Sequence, residues 1–263
     1  MNGILMVMWS NSRYSKISSW FILVLTIIVP NSFAKSLADS IQQIKPSVVG
    51  VATYLPTRSP PVNLLGTGFV VDDGYHVVTN AHVIPAKLNL AKKERLVVLY
   101  GQGRKPSMRE ARVFKADEAH DLALLRLKGT TLKPLTLGDS SQVREGDKIA
   151  FTGYPIGLVL GLYPATHHGI VASITPVAIP VASAKELDIT HIQRLRSPYN
   201  VFQLDATAYP GNSGSPVFLA TTGEVIGIVN KVFVKQTKES VLEKPSGITY
   251  AIPIKYVKAL IKP

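Results

Sequence analysis

The sequence predicts an all-β protein, a barrel or a sandwich of antiparallel strands. Three observations carry this. Short segments rich in Val, Ile, Leu and Phe recur from residue 48 onward; Gly, Pro, Asn and Asp punctuate them at hairpin intervals; and beyond residue 34 helical spacing is confined to the two ends of the chain. The chain has 263 residues, 46% hydrophobic and 17% charged, which suits one domain of two packed halves or two small domains, each with a real core.

Taken in order, the first 34 residues stand apart. Arg13 and Lys16 precede the uncharged run Trp20 to Val29, and Pro30 and a small-x-small site ending at Ala34 come after it. A positive flank and a ten-residue apolar run, too short to span a bilayer comfortably, describe a secretory signal at 1–34 and an exported product cleaved after Ala34. The extra apolar stretch Gly3 to Trp9 supports the other reading, an uncleaved anchor that associates the protein with a membrane.

Leu37, Ile41 and Ile44 then fall at helical spacing until Pro46 ends the pattern. Eleven strand-like segments come next: VVGVATYL, GTGFVVDD, HVVTNAHV, RLVVLY, ARVFKA, LALLRL, DKIAFTG, GIVASIT, NVFQLD, SPVFLA and EVIGIVNKVFVK. The stretch around Pro134 separates an N-terminal half, 35–134, from a C-terminal half, 135–263. The latter closes on the helix-like IPIKYVKALI, with Ile254, Val257, Leu260 and Ile261 on one side. Residues 176–200 lack a steady period and are bounded by prolines, which predicts a long surface loop.

Composition narrows the chemistry. The absence of cysteine excludes disulfides, thiolate catalysis and iron–sulfur ligation. The formal net charge of +12 is concentrated in Lys87 to Arg112 and Lys231 to Lys262. With no aromatic residues interleaved for base stacking it describes a solvated face, and no nucleic acid partner is expected. His167 and His168 are adjacent and point apart in an extended chain, so no metal site is expected of them. GQGRKPS at Gly101 to Ser107 lacks the spacing of a phosphate loop and reads as a hairpin turn.

One stretch concentrates permissive residues around a hydroxyl: TAYPGNSGSPVF, 207–218. A serine is a weak nucleophile unless a base takes its proton, and a histidine base needs an acid to fix its tautomer. His82 comes after the strand-like HVV, Asp121 precedes LALLRL, and Ser213 lies between glycines; the separations are 39 and 92 residues. The order His, Asp, Ser is that of chymotrypsin-type proteases. Gly211 and Gly214 permit a turn that aims the amides of Gly211 and Ser213 at one point, an oxyanion hole.

These landmarks, with LADSIQQIKPSVVGV, LTLGDSSQVREGDKIAFTGYPIGL and GITYAIPI, resemble in order those of the HtrA/Deg branch of chymotrypsin-like serine proteases. The resemblance runs from about Leu37 to the C-terminus. It implies two six-stranded antiparallel β-barrels with the active site between them, His82 as general base, Asp121 as its orienter and Ser213 as nucleophile. It implies no metal or organic cofactor, protein or peptide substrates, and, since such proteases are often trimers, a homotrimer. Export makes the periplasm the expected compartment.

Three departures are visible. The chain ends soon after GITYAIPI, so the protease domain is expected without PDZ domains. Ser215 stands where the branch more often has glycine, as it also does in secreted glutamyl endopeptidases. The loop 176–200 is long for the branch. The resemblance places the first specificity pocket at Thr207, Ala208, Ile228, Val229 and Asn230. No Asp sits there to favour Arg or Lys, and Val229 stands in place of a glutamate-selecting histidine, so a small aliphatic residue is expected before the cut.

Overall fold

The computed structural model describes residues 35–155, 161–177, 198–230 and 248–262. The signal or anchor at 1–34 and most of the loop 176–200 lie outside the described residues. Among the described residues twelve strands form two closed barrels. The first comprises β1 (Val48–Tyr54), β2 (Val62–Val71), β3 (His76–Thr79), β4 (Arg95–Tyr100), β5 (Ser107–Asp117) and β6 (Leu122–Leu127), paired in the order β1-β2-β3-β6-β5-β4. The second comprises β7 (Lys148–Gly153), β8 (Ala165–Pro176), β9 (Asn200–Asp205), β10 (Pro216–Leu219), β11 (Val225–Asn230) and β12 (Ile248–Pro253), in the order β10-β11-β12-β9-β8-β7. Every pairing is antiparallel, and closure leaves no long exposed edge.

Each barrel fills its interior with its own apolar side chains: Val49, Val51, Val70, Val98 and Leu125 in the first, Phe151, Phe202, Leu204, Val217 and Ile226 in the second. A third cluster, with Val48, Phe69, Leu124, Tyr154, Phe218 and Ile252, lies where the barrels meet. This accounts for the unbroken apolar character of VVGVATY: alternate residues of β1 serve the interior and the junction, so both faces are buried. The Tyr154 hydroxyl donates to Val48 O at 3.0 Å across that junction, and burial pushes its phenol well above the usual tyrosine value.

Two helices flank the barrels. α1 (Leu37–Ile44) begins in a capping box, in which the Ser36 hydroxyl accepts from Asp39 N–H and the Asp39 carboxylate accepts from Ser36 N–H. Pro46 then forces a short 3-10 turn. α2 (Ile254–Ile261) begins two residues later than the apolar pattern predicts. Ala251 and Ile252 pair with Val229 and Ile228, so IPI is split between β12 and the helix, with Pro253 at the junction. Ile254 and Val257 are buried, as the spacing predicts, and Tyr256 stacks on His120 of the first barrel with ring centroids 3.9 Å apart.

Candidate active site

β3 and β6 are partners, with Thr79 opposite Ala123, so the residues leaving β3 meet those entering β6. His82 lies three residues past Thr79 in a single 3-10 turn, Ala81–Val83, and Asp121 lies two residues before Ala123. Asp121 adopts φ +52°, a left-handed conformation that Asp tolerates better than most residues. That twist turns both ends of the residue toward His82. The Asp121 carbonyl accepts from Ala81 N–H and from Asn80 Nδ2, both at 3.1 Å. Its carboxylate accepts from His82 N–H at 2.9 Å and lies 2.6 Å from His82 Nδ1. Asp121 is 6% exposed, whereas the His82 side chain is 35% exposed, so the imidazole is held on Nδ1 and otherwise partly open to solvent.

Asn230 also bears on this carboxylate: its Nδ2 donates to Asp121 Oδ2 at 2.9 Å. The sequence places Asn230 among the walls of a specificity pocket; its amide is turned to the carboxylate. Ile228 and Val229 are fully buried, Val229 packing with Ala208 in the second-barrel core, and Thr207 is half-buried.

Ser213 is presented by the loop between β9 and β10. Asn212 N–H donates to Tyr209 O at 3.0 Å, closing a turn across Pro210 and Gly211, and Gly211 has the φ of +99° that the third position of such a Pro-Gly turn requires. Ser215 N–H then donates to Asn212 O and Gly214 N–H to Val229 O, both at 3.0 Å. The pattern leaves out two amides. Among the described residues the N–H groups of Gly211 and Ser213 donate to nothing, and the Ser213 hydroxyl, in a residue 7% exposed, is without a hydrogen bond.

What holds this loop against the first barrel is a residue that no catalytic motif singles out. Thr67 N–H donates to Ser213 O at 2.9 Å, and its hydroxyl donates to Gly211 O at 2.7 Å while accepting from Tyr154 N–H at 3.0 Å. Its carbonyl accepts from the Thr79 hydroxyl at 2.7 Å. A threonine between two glycines in GTGF is the one signal for it. Gly66, next to Thr67, brings the two halves of the site together: a Cβ there would lie 2.9 Å from Val83 Cγ2 and 3.1 Å from Ser213 O. The turn bearing His82 and the loop bearing Ser213 therefore rest on the same residue.

Elsewhere, His167 stacks on Phe151 at 5.0 Å, with Tyr209 on another side at 5.6 Å, and burial holds its imidazole below the usual histidine value. Among the described residues, one group of three has ligand atoms close enough for a cation, Asp72, Asp73 and His76 in the β2–β3 turn. Asp73 there is already engaged by His76 Nδ1 and Tyr75 N–H, both at 2.9 Å.

Two six-stranded barrels that meet at such a cleft define the chymotrypsin-like class of folds. The chain belongs to the trypsin-like peptidase domain family, whose profile matches residues 66–228. Among its relatives, a probable periplasmic serine endoprotease DegP-like from Halomonas elongata is 30% identical over 190 residues, covering 72% of this chain and 33% of that protein. The serine protease Do-like HtrB of Bacillus subtilis is 28% identical over 250 residues, covering 88% and 48%. The chain thus spans between a third and a half of the length of these curated relatives. In three dimensions it is similar to the HtrA-type protease AlgW with tripeptide, at 25% identity and a TM-score of 0.60, covering 86% of this chain and 62% of the other.

Proposed function

We propose that the protein is a serine endopeptidase of the HtrA type, acting on extended or unfolded segments of proteins in an exported, periplasmic compartment. Ser213 Oγ attacks the scissile carbonyl, its proton passing to His82 Nε2. Asp121, accepting from His82 Nδ1–H, fixes the tautomer and stabilises the imidazolium. The negative oxygen of the tetrahedral intermediate is received by the Gly211 and Ser213 amides, and collapse releases the amine with the proton from His82. Water, deprotonated by His82, then cleaves the acyl ester and regenerates the hydroxyl. No cofactor or metal enters the scheme. The first specificity pocket opens beside Thr207, the half-buried member of the expected wall, and favours a small aliphatic side chain; Ala208, Ile228 and Val229 are packed behind it in the core and support it without facing the substrate. In this reading Asn230 acts through Asp121. The assembly is a homotrimer.

The observation that carries this reading is the alternation of amides in 209–215. Asn212, Gly214 and Ser215 use their N–H groups to build the loop, while Gly211 and Ser213 keep theirs free beside the hydroxyl. The unbonded Ser213 hydroxyl favours a second reading, a protein-binding holdase with a latent site. Labelling with a fluorophosphonate separates the two. Ser213 of the wild-type protein becomes phosphonylated and Ser213→Ala does not; failure to label, with peptide and partner activators present, supports the holdase.

A further inference from the structure

A concavity bounded by β2, β4 and the β4–β5 turn of the first barrel and by Leu162 of the second has the chemistry of a peptide groove. It encloses about 620 Å³, lined by Pro61 and Leu64 at the start of β2, Leu99 of β4, Arg104 and Met108 around the β4–β5 turn, and Leu162 of the second barrel. The volume is that of a ligand site, and apolar groups dominate its walls. Gly50 explains how three leucines close its floor. A Cβ there would lie 2.7 Å from Leu64 Cδ1, 3.3 Å from Leu162 Cδ1 and 3.6 Å from Leu99 Cβ. The far wall is fastened by two backbone hydrogen bonds between barrels, Gly103 N–H to Leu162 O at 3.2 Å and Leu162 N–H to Gly103 O at 2.9 Å. The groove is therefore built in advance, which lowers the entropy cost of filling it.

Among the described residues Arg104 is the one charged residue in this lining. Arg104 and its neighbour Lys105 are exposed, and among the described residues neither has a hydrogen bond or ion pair. Other arginines nearby are engaged: Arg58 with Glu94 at 3.2 Å, Arg109 with the Thr130 hydroxyl at 2.7 Å. The groove and the loop bearing Ser213 are reached from the same strand. Leu64 precedes by two residues on β2 the glycine that faces Ser213 O, a distance of roughly 7 Å in an extended strand.

We infer that this groove is an accessory substrate subsite. It seats aliphatic or proline side chains of an extended segment flanking the bond to be cut, and pairs an Asp or Glu of that segment with Arg104 and Lys105. The inference rests on the endopeptidase reading, and its substrates are proteins in which an apolar, acidic stretch lies a few residues from a small aliphatic residue.

Three quenched fluorescent peptides test it, identical around the cleaved bond. One stops short of the groove, one continues into a proline–leucine–aspartate flank, and one carries lysine in place of the aspartate. With the wild-type protein kcat/KM for the aspartate peptide exceeds that for the lysine peptide by about threefold to tenfold. Arg104→Glu/Lys105→Glu reverses that order and leaves the short peptide unchanged. An order unaffected by the double substitution overturns the inference. Fluorescence anisotropy of the labelled aspartate peptide on Ser213→Ala protein, with and without the two charge reversals, reads the groove without turnover. Charge-dependent binding without cleavage by the wild type removes the peptidase reading alone, and cleavage without charge dependence removes the groove alone.

Discussion

The hydroxyl of Thr67 donates to Gly211 O at 2.7 Å and so pins the Pro-Gly turn of the second barrel to a strand of the first. Thr67→Val keeps the shape and removes the hydroxyl, leaving Gly211 O and Tyr154 N–H unpaired at a cost of about 1–3 kcal/mol. That loss falls on the turn that aims the Gly211 amide. Steady-state hydrolysis is expected to show kcat reduced by about tenfold or more with little change in KM, and Thr67→Ser should recover most of it.

Asp121 is expected to matter far more than its other neighbour. Asp121→Asn replaces an acceptor by a donor at His82 Nδ1, forcing the wrong tautomer, and should lower kcat by about 10⁴. Asn230→Ala removes one donor from the same carboxylate and leaves the His82 contact in place, so a drop of about tenfold is expected. Equal losses for the two in a peptide hydrolysis assay would show that Asn230 is more than a positioning residue.

Gly153 and Ser215 are complementary. A Cβ at residue 153 would lie 2.0 Å from Ser215 Oγ, 2.8 Å from Asn212 Oδ1 and 2.9 Å from Thr67 Oγ1. Gly153→Ala therefore pushes on the whole loop and should lower the melting temperature and activity together. Ser215→Ala removes the nearest of the three atoms, a buried hydroxyl with no partner among the described residues. The double variant should regain part, not all, of the lost melting temperature, because the other two contacts remain.

His167 makes stability depend on acidity. Its folded-state value is lowered from 6.5 by burial, so below about 6.5 the unfolded chain binds the proton that the folded protein resists. Its contribution is fully present above 6.5 and is lost as the pH falls through the lowered value. His167→Phe keeps a ring against Phe151 and cannot titrate, so its melting temperature should decline less than that of the wild type between pH 7 and pH 5. Parallel declines would show that the imidazole is already charged in the folded protein.

The strands are legible in the sequence because most are both apolar and bounded by turn residues: RLVVLY, LALLRL and NVFQLD coincide with β4, β6 and β9. β12 is harder to see, because Ile252 and Pro253 continue into a helical pattern and only pairing with β11 decides between the two states. His82 and Asp121 stand out because each flanks such a strand, and strand order then brings them together. Thr67 is hidden for the opposite reason. The hydrogen bonds that tie it to Ser213, Gly211 and Tyr154 reach residues remote in sequence, and these and the bond from Thr79 on the neighbouring strand each use a backbone group, on which a sequence pattern leaves no mark. Asn230 is hidden likewise, since period two tells which face it is on but not that a carboxylate 109 residues away awaits it.

The stack of Tyr256 on His120 has a mechanical consequence. α2 grows directly out of β12, a stave of the second barrel, yet its tyrosine rests on the residue next to Asp121 in the first. Prising the two barrels apart like a clamshell would have to strip one ring from the other, so the helix acts as a latch that resists their separation beside Asp121.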